Sequence, residues 1–139
     1  MQYAILYLTI LLPFCIMDAG WLTAMGAILY KPTLGDILLP TVKIGPAIAF
    51  YALYPIGLMI FAALPAFKSG SAMTAVLYGA AFGAIAYATY DLTNFATLRN
   101  WTLQITVFDI FWGAIASATG ATVGYFLTRT ISGWLGVTG

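Results

Sequence analysis

Four long runs of apolar residues, separated by three shorter polar breaks, make up most of the chain. The runs extend over about residues 3–29, 45–67, 72–98 and 102–127. Because a helix needs about 20 mainly apolar residues to cross the hydrocarbon core of a bilayer, each run is long enough to span it once. The pattern therefore predicts an all-α fold, a four-helix up-down transmembrane bundle that forms a single transmembrane domain over residues 1–139.

The polar breaks predict how the helices are joined. Residues 31–44 contain Pro32 and Pro40, so we expect this segment to leave the helical conformation and to lie as a loop along the membrane interface. The links at residues 68–71 and 99–101 are short, and short links place consecutive helices antiparallel. Lys and Arg divide almost evenly between the two sides, which gives only a slight preference for cytoplasmic first and third links.

Composition narrows the class of protein. The chain is 63% hydrophobic and only 6% charged, whereas about a quarter of the residues of a soluble domain are charged. A net charge of +1 leaves no basic stripe for nucleic acid, and a chain without His has no histidine chemistry. The single cysteine, Cys15, allows neither an intramolecular disulfide nor a cysteine metal cluster. These properties indicate an integral membrane protein.

Three of the four Asp residues lie inside the apolar runs. Asp18 is near the end of the first run, Asp91 near the end of the third and Asp109 near the start of the fourth. An Asp at the centre of a spanning helix costs about 2.5–3.5 kcal/mol on insertion scales. In an up-down bundle these three helix ends share one side of the membrane, and a rise of 1.5 Å per residue places the carboxyls on the order of 10 Å below the surface. We therefore predict a single carboxyl layer.

Small residues recur on the helical faces that carry the acidic residues. Residues four apart share a face of a helix, and small residues there let membrane helices approach closely. The pattern predicts that the acidic faces are the packing faces. The two sets are Ala75, Gly79, Gly83, Tyr87 and Asp91 on the third helix, and Asp109, Gly113, Ser117 and Ala121 on the fourth.

Hydrogen-bond donors accompany the carboxyls. Trp21 and Trp112 each follow an Asp by three residues, and a buried indole N–H requires an acceptor. We assign no catalytic residue and no metal ligand. The predicted ligand- or proton-binding layer contains Asp18, Asp91, Asp109, Trp21, Trp112, Tyr87, Tyr90, Asn94, Tyr51 and Tyr54.

The segment AYATYDLTNFATLRNW at residues 86–101, followed by DIFWG at 109–113, resembles the bacterial membrane-protein family known as domain of unknown function 2177. The resemblance covers nearly the whole chain and includes DAGW at 18–21, FYALY at 50–54 and PAF at 65–67. Members often have Pro where this chain has Thr102. The resemblance implies a small, multi-pass, four-helix protein of the bacterial inner (cytoplasmic) membrane, and it supplies no activity that could be transferred.

The acidic layer has a structural and a functional interpretation. In the structural one, each carboxyl accepts hydrogen bonds and fixes the register of the bundle. In the functional one, Arg99 and Lys31 are the only nearby cations and both can extend to the surface, so at least one Asp is protonated or is completed by a group outside the sequence. Our leading hypothesis is binding or transport of a proton-coupled cation or small molecule, with the aromatic rings holding an organic cation through cation–π contacts. The cofactor is left open.

Two further classes remain. One is an accessory or structural subunit of a larger membrane complex, or a lipid- or pigment-contacting protein, whose partners are the lipid bilayer, a homo-oligomer or that complex, and not nucleic acid. The other, less favoured, is a membrane enzyme acting on a lipid-like substrate, because no nucleophile–base pair, phosphate loop or metal-ligand motif is present. A metal site on the three Asp residues and Asn94 is also less favoured, since a buried cage made only of protein ligands is unusual.

Overall fold

The protein, described over residues 1–136 by a computed structural model, folds as four long helices with no strand in that part of the chain. All four helices are long and apolar enough to cross a membrane. This confirms the predicted all-α, four-helix transmembrane fold. The helices are α1 (Gln2–Ile37), α2 (Ile44–Ser69), α3 (Ala72–Thr97) and α4 (Leu103–Trp134).

Both α1 and α2 contain a wide π turn that ends two residues before a proline. The turns cover Gly26–Tyr30 in α1 and Met59–Ala63 in α2. In each, the N–H that follows the turn donates to a carbonyl five residues back: Lys31 to Gly26, and Leu64 to Met59. The next residue in each helix is proline. Proline has no N–H, and its ring clashes with the preceding turn of a regular helix. The widened turn therefore lets each helix continue past its proline.

The π turn in α1 overturns one expectation. Residues 31–34 remain α-helical and residues 35–37 form a 3₁₀ turn, so the interfacial connection is restricted to residues 38–43. The prediction that the helix ends before Lys31 is wrong, because Pro32 is accommodated by the wide turn. The fourth helix also extends beyond residue 127, since the buried polar residues Thr128 and Ser132 lower the hydropathy of a segment that is still helical and packed.

α4 is the central helix of the bundle. It packs along α3 on one side and α1 on the other, and it also contacts α2. A Cβ atom on Gly79 would lie 2.8 Å from the carbonyl oxygen of Ser117, and one on Gly83 would overlap the carbonyl of Gly113. The backbones of α3 and α4 are therefore in direct contact, which confirms that the small-residue faces are packing faces.

An apolar core fills the half of the bundle farther from the α3–α4 link. Ile10, Phe14 and Leu58 are fully buried there, between α1, α2 and α4. Near the N-terminal end of α1, the hydroxyls of Thr9 and Thr128 form a buried hydrogen bond of 2.8 Å. The three intramembrane carboxyls lie on the other side of this core.

Candidate functional site

α3 and α4 place the carboxyl groups of Asp91 and Asp109 within hydrogen-bonding reach of each other. The antiparallel register sets this arrangement, because Tyr87 packs on Gly113 one helical turn before the acidic pair. Asp91 is completely buried, and neither of its carboxylate oxygens has a hydrogen-bond donor in the described chain. Two adjacent carboxylates repel each other, so this pair is completed only by a proton or another positive charge.

The end of α1 covers this pair. The Tyr30 hydroxyl donates a hydrogen bond to Oδ1 of Asp109, and the Trp21 indole N–H donates to the Tyr30 oxygen at 2.8 Å. Leu29 and Leu34, on either side of Tyr30, pack in one cluster with Trp101 in the α3–α4 link and Ile105 in the first turn of α4. The last turns of α1 therefore close the bundle above the two carboxyls.

Tyr30 is a residue of the site that the sequence did not predict. The first predicted helix ended at Leu29, and no regular periodicity connects Tyr30 to the acidic layer. In an α-helix the nine residues from Trp21 to Tyr30 make about two and a half turns, which would put the two side chains on opposite faces. The π turn changes that phase. The available signal was the Tyr-Lys-Pro sequence itself, which gives no direction for the side chain.

Asp18 is in a different environment from the pair. Tyr51 donates its hydroxyl to Oδ2 of Asp18 at 2.6 Å, and the Trp112 N–H donates to Oδ1 at 3.1 Å. Both carboxylate oxygens are thus partnered, although the side chain is only 4% exposed. Because its two donors lie on α2 and α4 and Asp18 itself lies on α1, this carboxylate connects three helices.

The two tryptophans stack on each other between the acidic residues. The rings of Trp21 and Trp112 are parallel within 5°, with their centroids 4.6 Å apart. Neither indole N–H bonds to the Asp that precedes it by three residues: Trp112 donates to Asp18, and Trp21 donates to Tyr30. Rings in direct contact leave no space for a cation between them, so this pair does not form an aromatic cage.

The depths of the three carboxyls follow from the helix positions of the Asp residues and of their hydrogen-bond partners. Asp91 and Asp109 are each six residues from a helix end, at Thr97 and Leu103, or about 9 Å along the axis. Asp18 bonds to Trp112, which is one turn deeper than Asp109, a difference of about 4.5 Å. Asp18 also bonds to Tyr51, which is seven residues, or about 10.5 Å, from the start of α2 at Ile44, so the single carboxyl layer stays a prediction.

The remaining predicted residues divide into two groups. Tyr54 bonds to Ser117 Oγ at 2.7 Å, and its ring meets that of Tyr87 edge-on at 6.2 Å, both inside the bundle. Tyr90 is 60% exposed, and its ring packs against Trp101 at 5.5 Å. Asn94, one turn later, is half-buried. Neither Tyr90 nor Asn94 hydrogen bonds to a carboxyl among the contacts of residues 1–136.

The described residues provide no cluster of three or more Asp, Glu, His or Cys that could hold a metal ion. A groove of about 470 Å³ between α1 and α2 is lined by Leu11, Cys15, Ala19 and Tyr51 among others. None of the three acidic residues lines it. The charged chemistry of the protein is therefore inside the bundle, and the groove is a separate, largely apolar feature.

Four spanning helices and a buried carboxyl pair define a polytopic membrane protein. The family model described as "Predicted membrane protein (DUF2177)" matches residues 3–126. The chain belongs to this family, as the resemblance in the sequence indicated. No curated protein and no solved structure matches the chain.

Proposed function

We propose that the Asp91–Asp109 pair binds a proton or a small monovalent cation within the bacterial inner membrane, and that the protein binds or transports that species. The observation that carries the proposal is the state of Asp91. Its side chain is completely buried, both oxygens lack a donor in the described chain, and the adjacent group is a second carboxyl.

The need for a positive charge follows from the groups around the pair. The titratable groups that face it are Tyr30 and, farther away, Asp18, both from α1, together with Tyr87 and Tyr90 from α3, and none of them is a cation. The donors that reach the three carboxyls are the neutral groups of Tyr30, Tyr51 and Trp112. An uncompensated buried charge costs several kcal/mol. A proton on one carboxyl removes that charge and creates an O–H donor for the other carboxyl.

The size of the site favours a small occupant. Two carboxyls provide at most four oxygens, fewer than the six to eight ligands that Ca²⁺ usually takes, and the described chain adds no third acidic group. The contact between Trp21 and Trp112 also removes the space in which those rings could surround an organic cation. A proton needs only the two carboxyls and fits these limits, whereas a small monovalent cation would need backbone carbonyls or water to complete its ligands.

The test uses Asp91→Asn, which keeps the side-chain shape and supplies an N–H donor to Asp109. Tryptophan fluorescence is recorded from about pH 5 to pH 9, with and without a panel of monovalent and organic cations, because Trp21 is connected to Asp109 through Tyr30. Infrared difference spectra follow the carboxylic acid band in parallel. We expect a transition in the wild-type protein that cations displace and that Asp91→Asn abolishes.

Asp18→Asn is the matched control. Asp18 has both oxygens partnered, so its substitution is expected to lower the stability of the bundle while the fluorescence transition persists. A flat response of the wild-type protein, together with an Asp91→Asn variant that only melts at lower temperature, would assign the pair to the structural interpretation.

The hypothesis of an accessory, lipid-contacting or pigment-contacting protein stays a prediction. The feature that favours it is the groove between α1 and α2, whose α1 side follows Leu11, Cys15 and Ala19 at four-residue intervals. A straight apolar groove parallel to a helix axis has the shape of a single hydrocarbon chain. A hydrocarbon chain in this groove would contact Tyr51, which bonds to Asp18, and would not reach Asp91.

A further inference from the structure

We infer that residues 26–37 at the end of α1 form a hinged cover over the Asp91–Asp109 pair, with the π turn Gly26–Tyr30 as the hinge and Tyr30 as the latch. This rests on the proposed function, because it describes how the occupant of that pair enters and leaves. The inference adds the side of the bundle from which the site is reached and the segment that controls access.

The pair cannot exchange its occupant in the observed conformation. Asp91 is 0% exposed, and Asp109 is 7% exposed and bonded to Tyr30. On the deeper side, the way is closed by fully buried apolar side chains, including Phe14 and Leu58. On the near side, the pair is about 9 Å from the ends of α3 and α4, and the end of α1 lies across this short path.

The cover has features of a segment that can move as a unit. Leu29 and Leu34 attach it to Trp101 and Ile105 through apolar contacts, and its one bond to the carboxyl pair is made by Tyr30. A π turn is rare, interrupts the regular hydrogen-bond ladder of an α-helix, and occurs frequently at functional sites. Pro32 removes a further backbone N–H directly after the turn.

Gly26 distinguishes a hinge from a segment in which glycine is needed only for close helix packing. It opens the π turn, and a Cβ added there would meet no atom within 4 Å. Close packing therefore does not require glycine at this position. What glycine contributes is backbone freedom, which favours conformations outside the helix relative to alanine.

The latch is linked to occupancy of the pair. A hydrogen bond from a hydroxyl to an ionised carboxylate is stronger than one to a neutral carboxyl. The Tyr30 bond to Asp109 is therefore strongest when the pair is empty of positive charge, and it weakens when a proton or cation is bound. The groups that face this bond are Asp91, Tyr87 and Tyr90 from α3, Asp109 from α4, and Trp21 and Asp18 from α1 itself.

The test compares Gly26→Ala with Gly20→Ala. Both glycines have open space around the position of a Cβ atom, and both are in helical segments of α1, but only Gly26 is in the π turn. Two rates are measured on the full chain in lipid nanodiscs: the fluorescence response after a rapid change of pH or of Na⁺ or K⁺ concentration, and backbone hydrogen exchange of residues 26–37.

We expect Gly26→Ala to slow both rates by about two- to five-fold, the effect of the backbone entropy that glycine adds. The amplitude of the fluorescence response should not change. Gly20→Ala should match the wild-type protein in both measurements. Tyr30→Phe, which removes the latch, should make both rates faster.

The outcomes separate the two proposals. If the fluorescence transition exists and Asp91→Asn abolishes it, but Gly26→Ala and Gly20→Ala give the same rates, the cover is overturned and the site remains. If the wild-type protein shows no transition, the proposed function fails, and unchanged hydrogen exchange in Gly26→Ala overturns the hinge independently.

Discussion

Replacing Gly83 by Ala tests the contact that brings the two acidic helices together. The added Cβ would overlap the carbonyl of Gly113 and the hydroxyl of Ser117. A carbonyl within a helix cannot move aside alone, so α3 and α4 must separate. Overpacking of this kind costs typically 1–3 kcal/mol, and more where the backbone is the neighbour. Gly79→Ala, whose Cβ would be 2.8 Å from the Ser117 carbonyl, should show a smaller loss in the same direction.

The assay is reversible unfolding in mixed micelles of increasing SDS fraction, followed by circular dichroism. Gly20→Ala is the control because its Cβ meets nothing within 4 Å, so it should be neutral or should gain up to about 1 kcal/mol from helix propensity. We expect the order Gly83→Ala, Gly79→Ala, Gly20→Ala from least to most stable. Equal stability of Gly83→Ala and Gly20→Ala would refute the backbone contact between α3 and α4 and, with it, the register that pairs Asp91 with Asp109.

Two other substitutions test individual hydrogen bonds. Tyr51→Phe leaves one oxygen of the buried Asp18 without its donor and should cost about 1–3 kcal/mol of unfolding free energy in SDS. Tyr7→Phe removes an exposed hydrogen bond between the same two helices and should cost well under 1 kcal/mol. Equal losses in the two variants would count against a buried role for Asp18. Thr9→Val breaks the buried hydrogen bond to Thr128 and should cost about 0.6 kcal/mol of unfolding free energy, with a ceiling near 1.7 kcal/mol. The fluorescence transition of the carboxyl pair should stay the same. A changed transition would contradict the separation of the Thr9–Thr128 end from the carboxyl end by the apolar core.

Much of the fold is visible in the sequence because the bilayer imposes strong constraints on it. The length of the apolar runs predicted four helices, and the four-residue spacing of Gly79, Gly83 and Asp91 predicted the face that packs on α4. Both predictions use only helix geometry and hydropathy. The same geometry placed Asp91 and Asp109 at similar depth, as the structure shows.

The features that were missed depend on departures from regular geometry. Pro32 indicates the end of an ordinary helix, and only a widened turn, which hydropathy does not report, allows α1 to continue. Tyr30 was missed for this one reason. The hydrogen-bond partners of Trp21 and Trp112 were missed because the partner of a donor on another helix depends on how the helices are rotated. Residue spacing along one helix does not determine that rotation.

The central position of α4 has a consequence for how the protein is assembled during synthesis. Asp18 and Asp91 emerge from the ribosome well before Trp112 and Asp109, the partners that α4 brings to them. Until the fourth helix enters the bilayer, Asp18 lacks one of its two hydrogen-bond donors, and Asp91 lacks the helix that packs against its face of α3. Insertion of the last helix is therefore the step that buries the acidic residues, and a nascent chain stopped before it would present unshielded carboxyls to lipid, to the translocation machinery or to membrane proteases.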